Sequence, residues 1–151
     1  MKLIVTKFGG TSVGTIDRIK SVAKRIKNEV NNGYNVIVVV SAMAGETNRL
    51  IKLVESLTNN YRTSEYDTVI SSGEQVTSGL LAIALNELGI KSKSYQGWQI
   101  PFETDNNFSK ANIKEIKKDK ILFDLNDGYV IVVPGFQGVH KNRVTTLGRG
   151  G

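Results

Sequence analysis

Apolar residues fall into two alternating rhythms along this chain. Residues Lys2–Phe8 read as a short strand that ends in a glycine turn, Gly9-Gly10. Ile16, Ile19, Val22, Ala23, Ile26 and Val30 then recur at three- and four-residue spacing, which predicts a helix. Thr15 is suited to cap that helix and Gly33 to stop it. Val36–Val40 is an unbroken apolar run, the pattern of a strand buried on both faces of a parallel sheet. A loop, Ser41–Thr47, leads into a second helix carrying Leu50, Ile51, Val54 and Leu57. A third helical stretch runs from about Tyr66 to Leu88, with Val69, Ile70, Val76, Leu80, Leu81 and Ala84 inward, and Gly89 ends it.

Beyond it, Lys91–Tyr95 reads as a strand and Gly97–Asn107 as a polar loop region. Ala111–Asp127 reads as a short strand and then a helix ending at Gly128. Tyr129–Val133 is another buried strand, stopped by Pro134-Gly135 and followed by a turn containing Gly138. Strands alternating with helices predict an α/β fold with a mostly parallel sheet. The chain shows no internal repeat, low-complexity tract or interdomain linker.

Composition narrows the classes. The 151 residues suit one domain. Apolar residues at 40% and charged residues at 23% are globular values, which argues against disorder and fibrous repeats. Without cysteine there is neither a disulfide framework nor a thiolate metal site, and His140 has no second histidine to share a zinc ion with. No apolar run approaches the ~20 residues of a membrane span, and the N-terminus lacks the apolar core of a secretory signal. The expectation is a soluble cytoplasmic protein that meets no membrane. A net charge of +6 permits an anionic ligand. The densest basic run, Lys114, Lys117, Lys118 and Lys120, is interrupted by Glu115 and Asp119 and reads as a solvated face. No nucleic-acid motif accompanies it.

Ligands of open parallel sheets gather at the carboxyl ends of the strands. Lys7-Phe-Gly-Gly-Thr-Ser12 lies at such an end. A lysine there offers a point charge to phosphate, and two glycines let backbone N–H groups approach an anion ahead of a helix N-terminus. A plain tight turn between strand and helix accounts for the same residues. In the second loop, Ser41 and Thr47 can donate hydrogen bonds to a carboxylate or phosphate, or one of them can cap the next helix. In Ser71-Ser-Gly-Glu74, a glycine inside a helical pattern costs about 1 kcal/mol relative to alanine, so something should approach it closely. Glu74 either faces a cation, such as a substrate ammonium, or is an ordinary exposed glutamate. Arg149, set among glycines at the end of the chain, is either a bidentate partner for an anion or part of a flexible basic tail.

Taken together, these segments resemble the aspartokinase branch of the amino-acid kinase family. The resemblance rests on Lys7-Phe-Gly-Gly-Thr-Ser12, Ser41-Ala-Met-Ala-Gly-Glu-Thr-Asn48, Ser71-Ser-Gly-Glu-Gln75, Gly135-Phe-Gln-Gly138 and Thr145-Thr-Leu-Gly-Arg-Gly-Gly151, in the family's order and near its spacing. It implies a three-layer αβα sandwich around a mostly parallel sheet. It implies Mg²⁺-assisted transfer of a phosphoryl group from ATP to the side-chain carboxylate of L-aspartate. Lys7, Phe8, Gly9 and Gly10 would line the ATP phosphates, with Lys7 as the catalytic charge. Ser41, Thr47, Glu74 and Arg149 would hold the aspartate, with Gly150 and Gly151 in the same loop. Glu74 would face the amino group and Arg149 the carboxylate.

In that family the last motif continues into Ser-Asp and a second half that binds adenine and ribose, and regulatory ACT domains usually follow. The sequence stops at Gly151, so the expectation is a truncated kinase fold that is inactive alone. A sheet cut short exposes an edge, so self-association is expected as well. The competing readings are a non-catalytic ligand-binding or vestigial protein, another amino-acid kinase, and a small basic nucleic-acid binder.

Overall fold

A computed structural model describes residues 1–148. In chain order, β1 (Leu3–Phe8) is followed by α1 (Ile16–Asn31), β2 (Asn35–Val40), α2 (Glu46–Glu55), α3 (Ser64–Ile70) and α4 (Ser72–Glu87). Next come β3 (Ser92–Ser94), β4 (Phe102–Thr104), β5 (Ile113–Ile116) and α5 (Asp119–Asn126). The described chain closes with β6 (Val130–Pro134), β7 (Gln137–His140) and β8 (Arg143–Thr146).

Four strands in the order β1-β2-β6-β3 make an all-parallel sheet. The apolar runs at its centre reflect cover on both faces. Val36, Val38 and Val40 are buried beneath α1 and α4, among Ile19, Val22, Ile26, Leu81 and Leu85. Ile131 and Val133 cluster instead with Ile121 and Leu125 of α5, with Ile37 and Val39 packed alongside. The result is the expected α/β/α stack. Thr15 caps α1, its hydroxyl accepting from the Arg18 N–H at 3.2 Å, an arrangement worth about 1 kcal/mol.

Two expectations fail. The stretch from Tyr66 to Leu88 is not one helix but two, α3 and α4, meeting at Ser71. Ser71 keeps helical backbone angles, so the apolar period runs through the junction and hides it. The junction is held from outside, by the Gln137 amide donating to the Ser71 carbonyl at 2.8 Å.

The second failure concerns the region read as loop and turn. Gly97–Asn107 contains β4, and the supposed turn at Gly138 is strand β7. These strands build a separate mixed sheet of order β5-β4-β7-β8. β7 and β8 form a hairpin across Lys141-Asn142, both in the left-handed region. Gly138 is needed because any side chain there would run into Thr104 and Thr145. The strands are only three or four residues long and β5 is exposed throughout, so no apolar alternation betrays them.

Candidate functional site

The register of the parallel sheet brings Phe8, Val40 and Pro134 side by side at its carboxyl edge. Two backbone hydrogen bonds continue the pairing into the loops, Ser41 N–H to the Phe8 carbonyl at 3.3 Å and Gly135 N–H to the Val40 carbonyl at 3.0 Å. The loops after β1, β2 and β6 therefore open onto one place. A cleft of about 250 Å³ lies there. Lys7, Ser41, Thr47 and Glu74 all line it, from three different segments of the sequence. Phe136, Leu147 and Gly148 line it as well.

Glu74 is the decisive group. It sits in the first turn of α4 and is only 5% exposed, which overturns the reading of an ordinary surface glutamate. One carboxylate oxygen accepts from the Phe136 N–H at 3.2 Å. Burial lifts its pKa to about 8, because desolvation of the anion outweighs the Phe136 N–H, the Lys7 ammonium and the Gly135 N–H. A buried carboxyl with spare acceptor capacity, facing a cleft, is suited to an incoming cation.

Small residues let the loops close up behind this group. A Cβ on Gly73 would lie 2.9 Å from the Ala42 Cβ, which accounts for a glycine beside Glu74. A Cβ on Gly10 would lie 3.1 Å from the Ala42 carbonyl oxygen. The loop that carries Ser41 is thus clamped between the β1 loop and α4. Neither Ser41 nor Thr47 caps α2: the N-cap is Gly45, in the left-handed region and without a side-chain cap. Both hydroxyls are left on the cleft wall.

The remaining expected site residues lie around this cleft. Gly9 is exposed with open space above its Cα, at the end of β1 next to Lys7. The Phe8 side chain is buried in the core, with the Arg25 guanidinium 5.3 Å over its ring, so only its backbone is available to a ligand. α1 begins at Ile16, six residues past Gly10, with Thr15 as its cap. Arg149, Gly150 and Gly151 lie outside the described residues, although their neighbour Gly148 lines the cleft. Phe136 belongs to the Gly135-Phe-Gln-Gly138 segment, whose spacing alone assigns it no role. Its N–H on Glu74 shows what that motif contributes.

A larger cleft, about 940 Å³, adjoins the first and shares Thr47, Ile70, Phe136 and Gly148 with it. Tyr61 and Tyr66, in edge-to-face contact at 5.9 Å, line it with Arg62 and Lys110. Among the described residues, no group of three or more His, Cys, Asp or Glu side chains is arranged to hold a metal ion. No helix among them is long and apolar enough to cross a membrane.

A family model for the amino acid kinase family matches residues 2–151. The chain belongs to the amino acid kinase family. It is 54% identical, over 155 aligned positions, to an aspartokinase of Rickettsia felis, covering all of this chain and 39% of that protein. The fold agrees with solved kinases of the same family. An aspartate kinase from Synechocystis superposes with a TM-score of 0.79 at 39% identity, over 100% of this chain and 25% of its own. E. coli aspartokinase III in complex with lysine and aspartate superposes with a TM-score of 0.85 at 25% identity, over 99% of this chain and 44% of its own. The chain spans less than two fifths of the length of the curated relatives it matches.

Proposed function

We propose that this chain is the N-terminal, amino-acid-binding part of an aspartate kinase. The reaction is transfer of a phosphoryl group from ATP to the side-chain carboxylate of L-aspartate, giving 4-phospho-L-aspartate. That step opens lysine, threonine, methionine and diaminopimelate synthesis, in the cytoplasm. The observation that carries the reading is the convergence of Lys7, Ser41, Thr47 and Glu74 on one cleft in a chain of this family.

The residue chemistry suits a zwitterionic dicarboxylate. Glu74 receives the ammonium and gives up its proton as it does so. Ser41 and Thr47 donate to carboxylate oxygens. Arg149, next to Gly148 in the sequence, supplies the bidentate clamp on the α-carboxylate, with Gly150 and Gly151 in its loop. The acceptor is already an anion, so no strong general base is needed. His140 accordingly plays no part; its ring nitrogen is engaged with the Thr104 carbonyl, 3.1 Å away.

The β1 loop fits a nucleotide's phosphates. Lys7 offers a charge, Gly9 leaves the backbone open, and the Phe8 and Gly10 backbone flanks them. ATP, bound with Mg²⁺ on its phosphates, supplies the phosphoryl group. Lys7 holds charge that develops on that group during transfer.

Because the relatives are more than twice as long, the chain alone is expected to bind L-aspartate without turnover. Isothermal titration with L-aspartate tests the first half, with D-aspartate and Glu74→Gln as controls. Absence of stereospecific binding would sink the reading. A coupled ADP-release assay tests the second half, and robust turnover by these 151 residues would refute it. Self-association belongs to the same proposal. Among the described residues β1 pairs only with β2, and Val5 and Leu3 on this edge are 60% and 43% exposed. Light scattering that showed a monomer across a wide concentration range would remove it.

A further inference from the structure

A second buried carboxylate, Asp67, plays no part in the chemistry above. It sits on α3, fully inaccessible to solvent. Among the described residues, no lysine or arginine forms an ion pair with it. Its two oxygens are instead filled by donors from two other segments. The Thr146 N–H donates to Oδ2 at 2.9 Å and the Thr146 hydroxyl to Oδ1 at 2.8 Å. The Ser109 N–H bridges both oxygens, at 3.0 and 3.1 Å. Each oxygen thus accepts two hydrogen bonds, a pattern that an acceptor-only carboxylate satisfies and an amide does not.

The segments it joins both contribute to the lining of the cleft. Three residues after Asp67, Ile70 lines the cleft, and Glu74 follows in the first turn of α4. Thr146, gripped through both backbone and side chain, is followed by Leu147 and Gly148, which line the same cleft. The Leu147 N–H then donates to the Phe136 carbonyl at 2.9 Å, and the Phe136 N–H donates to Glu74. A closed circuit therefore runs from Asp67 through Thr146, Leu147 and Phe136 to Glu74 and back along α3. Ser109 adopts a left-handed backbone (φ 69°), uncommon for a residue with a Cβ, and its N–H is directed at Asp67.

We propose that Asp67 is a positioning residue that fixes the spacing between Glu74 and the end of β8, and so tunes the cleft to the two charges on the α-carbon of an amino acid. The inference rests on the amino-acid reading of the cleft. It adds a determinant that touches no ligand. A ligand carrying both an ammonium and a carboxylate on one carbon spans these two parts of the lining and senses their spacing. Succinate, which has the carboxylates but no ammonium, does not span them in this way.

The test compares Asp67→Asn and Thr146→Val with the parent chain. L-aspartate and succinate affinities are measured by titration calorimetry below the melting temperature of each variant. Amide hydrogen exchange is followed at Thr146, Leu147 and Phe136. Asp67→Asn should weaken L-aspartate binding at least tenfold and succinate binding less than threefold. Thr146→Val keeps the carboxylate and two of its three donors and should weaken L-aspartate about threefold. Exchange at Leu147 should quicken at least tenfold in Asp67→Asn. Should Asp67→Asn fail to fold, Thr146→Val carries the same comparison. L-aspartate affinity within twofold of the parent, or equal losses for both ligands, would overturn the proposal. If the parent binds neither ligand, the amino-acid reading fails by itself. Exchange at Leu147 then decides on Asp67, faster exchange in the variants upholding its positioning role and unchanged exchange refuting it.

Discussion

Glu74 and Asp67 stand seven residues apart on adjoining helices, and solvent scarcely reaches either. Burial raises the pKa of both. Their surroundings are otherwise opposite. Asp67 takes three donors from within the fold, which fill both its oxygens, and its own side chain lines neither cleft. Glu74 takes the Phe136 N–H, with the Gly135 N–H and the Lys7 ammonium as weaker support, and its side chain lines the cleft. Burial alone does not separate a structural carboxylate from a binding one; the count of internal donors does. A group satisfied from inside holds shape, and a group left short awaits a ligand.

The largest effect that tests this contrast is Asp67→Ala. It orphans the Thr146 N–H, the Thr146 hydroxyl and the Ser109 N–H in a buried site. At about 1–3 kcal/mol for each unsatisfied donor, the loss should reach about 5 kcal/mol, enough to threaten folding of a small domain. Urea denaturation measures it. A loss below about 1 kcal/mol would show that the donors find other partners and that Asp67 is not the latch described.

Glu74→Gln should do the reverse and stabilise the chain, in a pH-dependent way. Folded Glu74 keeps its proton up to about pH 8, whereas the unfolded side chain releases it near its ordinary value of 4.5. Between those values the folded state binds more protons, so rising pH erodes stability through this window. Glutamine removes the titration. The gain should be near zero at pH 4 and rise to about 5 kcal/mol above pH 8, from about 1.4 kcal/mol per pKa unit. L-aspartate binding should meanwhile fall at least a hundredfold. Melting curves at pH 5 and pH 9 for both proteins test the sign. A gain independent of pH would mean that Glu74 is charged throughout.

Gly73→Ala comes next in size. Its Cβ would press on the Ala42 Cβ at 2.9 Å, and on Glu46 Cγ and Leu50 Cδ1 at 3.4 Å. Alanine's better helix propensity recovers part of that cost, leaving about 1–2 kcal/mol. The displaced Ala42 adjoins Ser41, so ligand affinity should drop several-fold. Unchanged affinity would show that the loop yields without moving the hydroxyl.

The two carboxylates were also unequally legible. Glu74 belongs to a motif whose neighbour Gly73 signals a close approach, so the sequence points to it. Asp67 lies within an apolar helical pattern, and its partners Ser109 and Thr146 are 42 and 79 residues away. No local spacing announces such a bond. The same division holds for the two sheets. Val36–Val40 and Tyr129–Val133 declare themselves through apolar runs, because both their faces are covered. β4, β5, β7 and β8 are short and pair across a mixed sheet, and polar Gln137, Thr145 and Thr146 are buried there. What specifies them is hydrogen bonding between distant segments, to which a hydrophobic period is blind. The junction at Ser71 escaped for a related reason, since the Gln137 amide that holds it comes from β7.

The smallest expected effect bears on how Asp67 is held. Ser109 serves Asp67 through its backbone N–H, not through its hydroxyl. Ser109→Gly therefore leaves the donor in place. Glycine occupies the left-handed region freely, so the substitution relieves the cost of φ 69° at a residue with a Cβ. Against that, glycine gives the unfolded chain more freedom to lose, by about 0.4–1 kcal/mol. The two nearly cancel, and stability should stay within about 1 kcal/mol of the parent. L-aspartate affinity should stay within twofold, since Thr146 remains latched. The pair Ser109→Gly and Thr146→Val then separates backbone from side-chain support of the same carboxylate. If the glycine variant loses affinity as Asp67→Asn does, the serine side chain holds the 106–110 turn by itself, and the latch is wider than the three donors on Asp67.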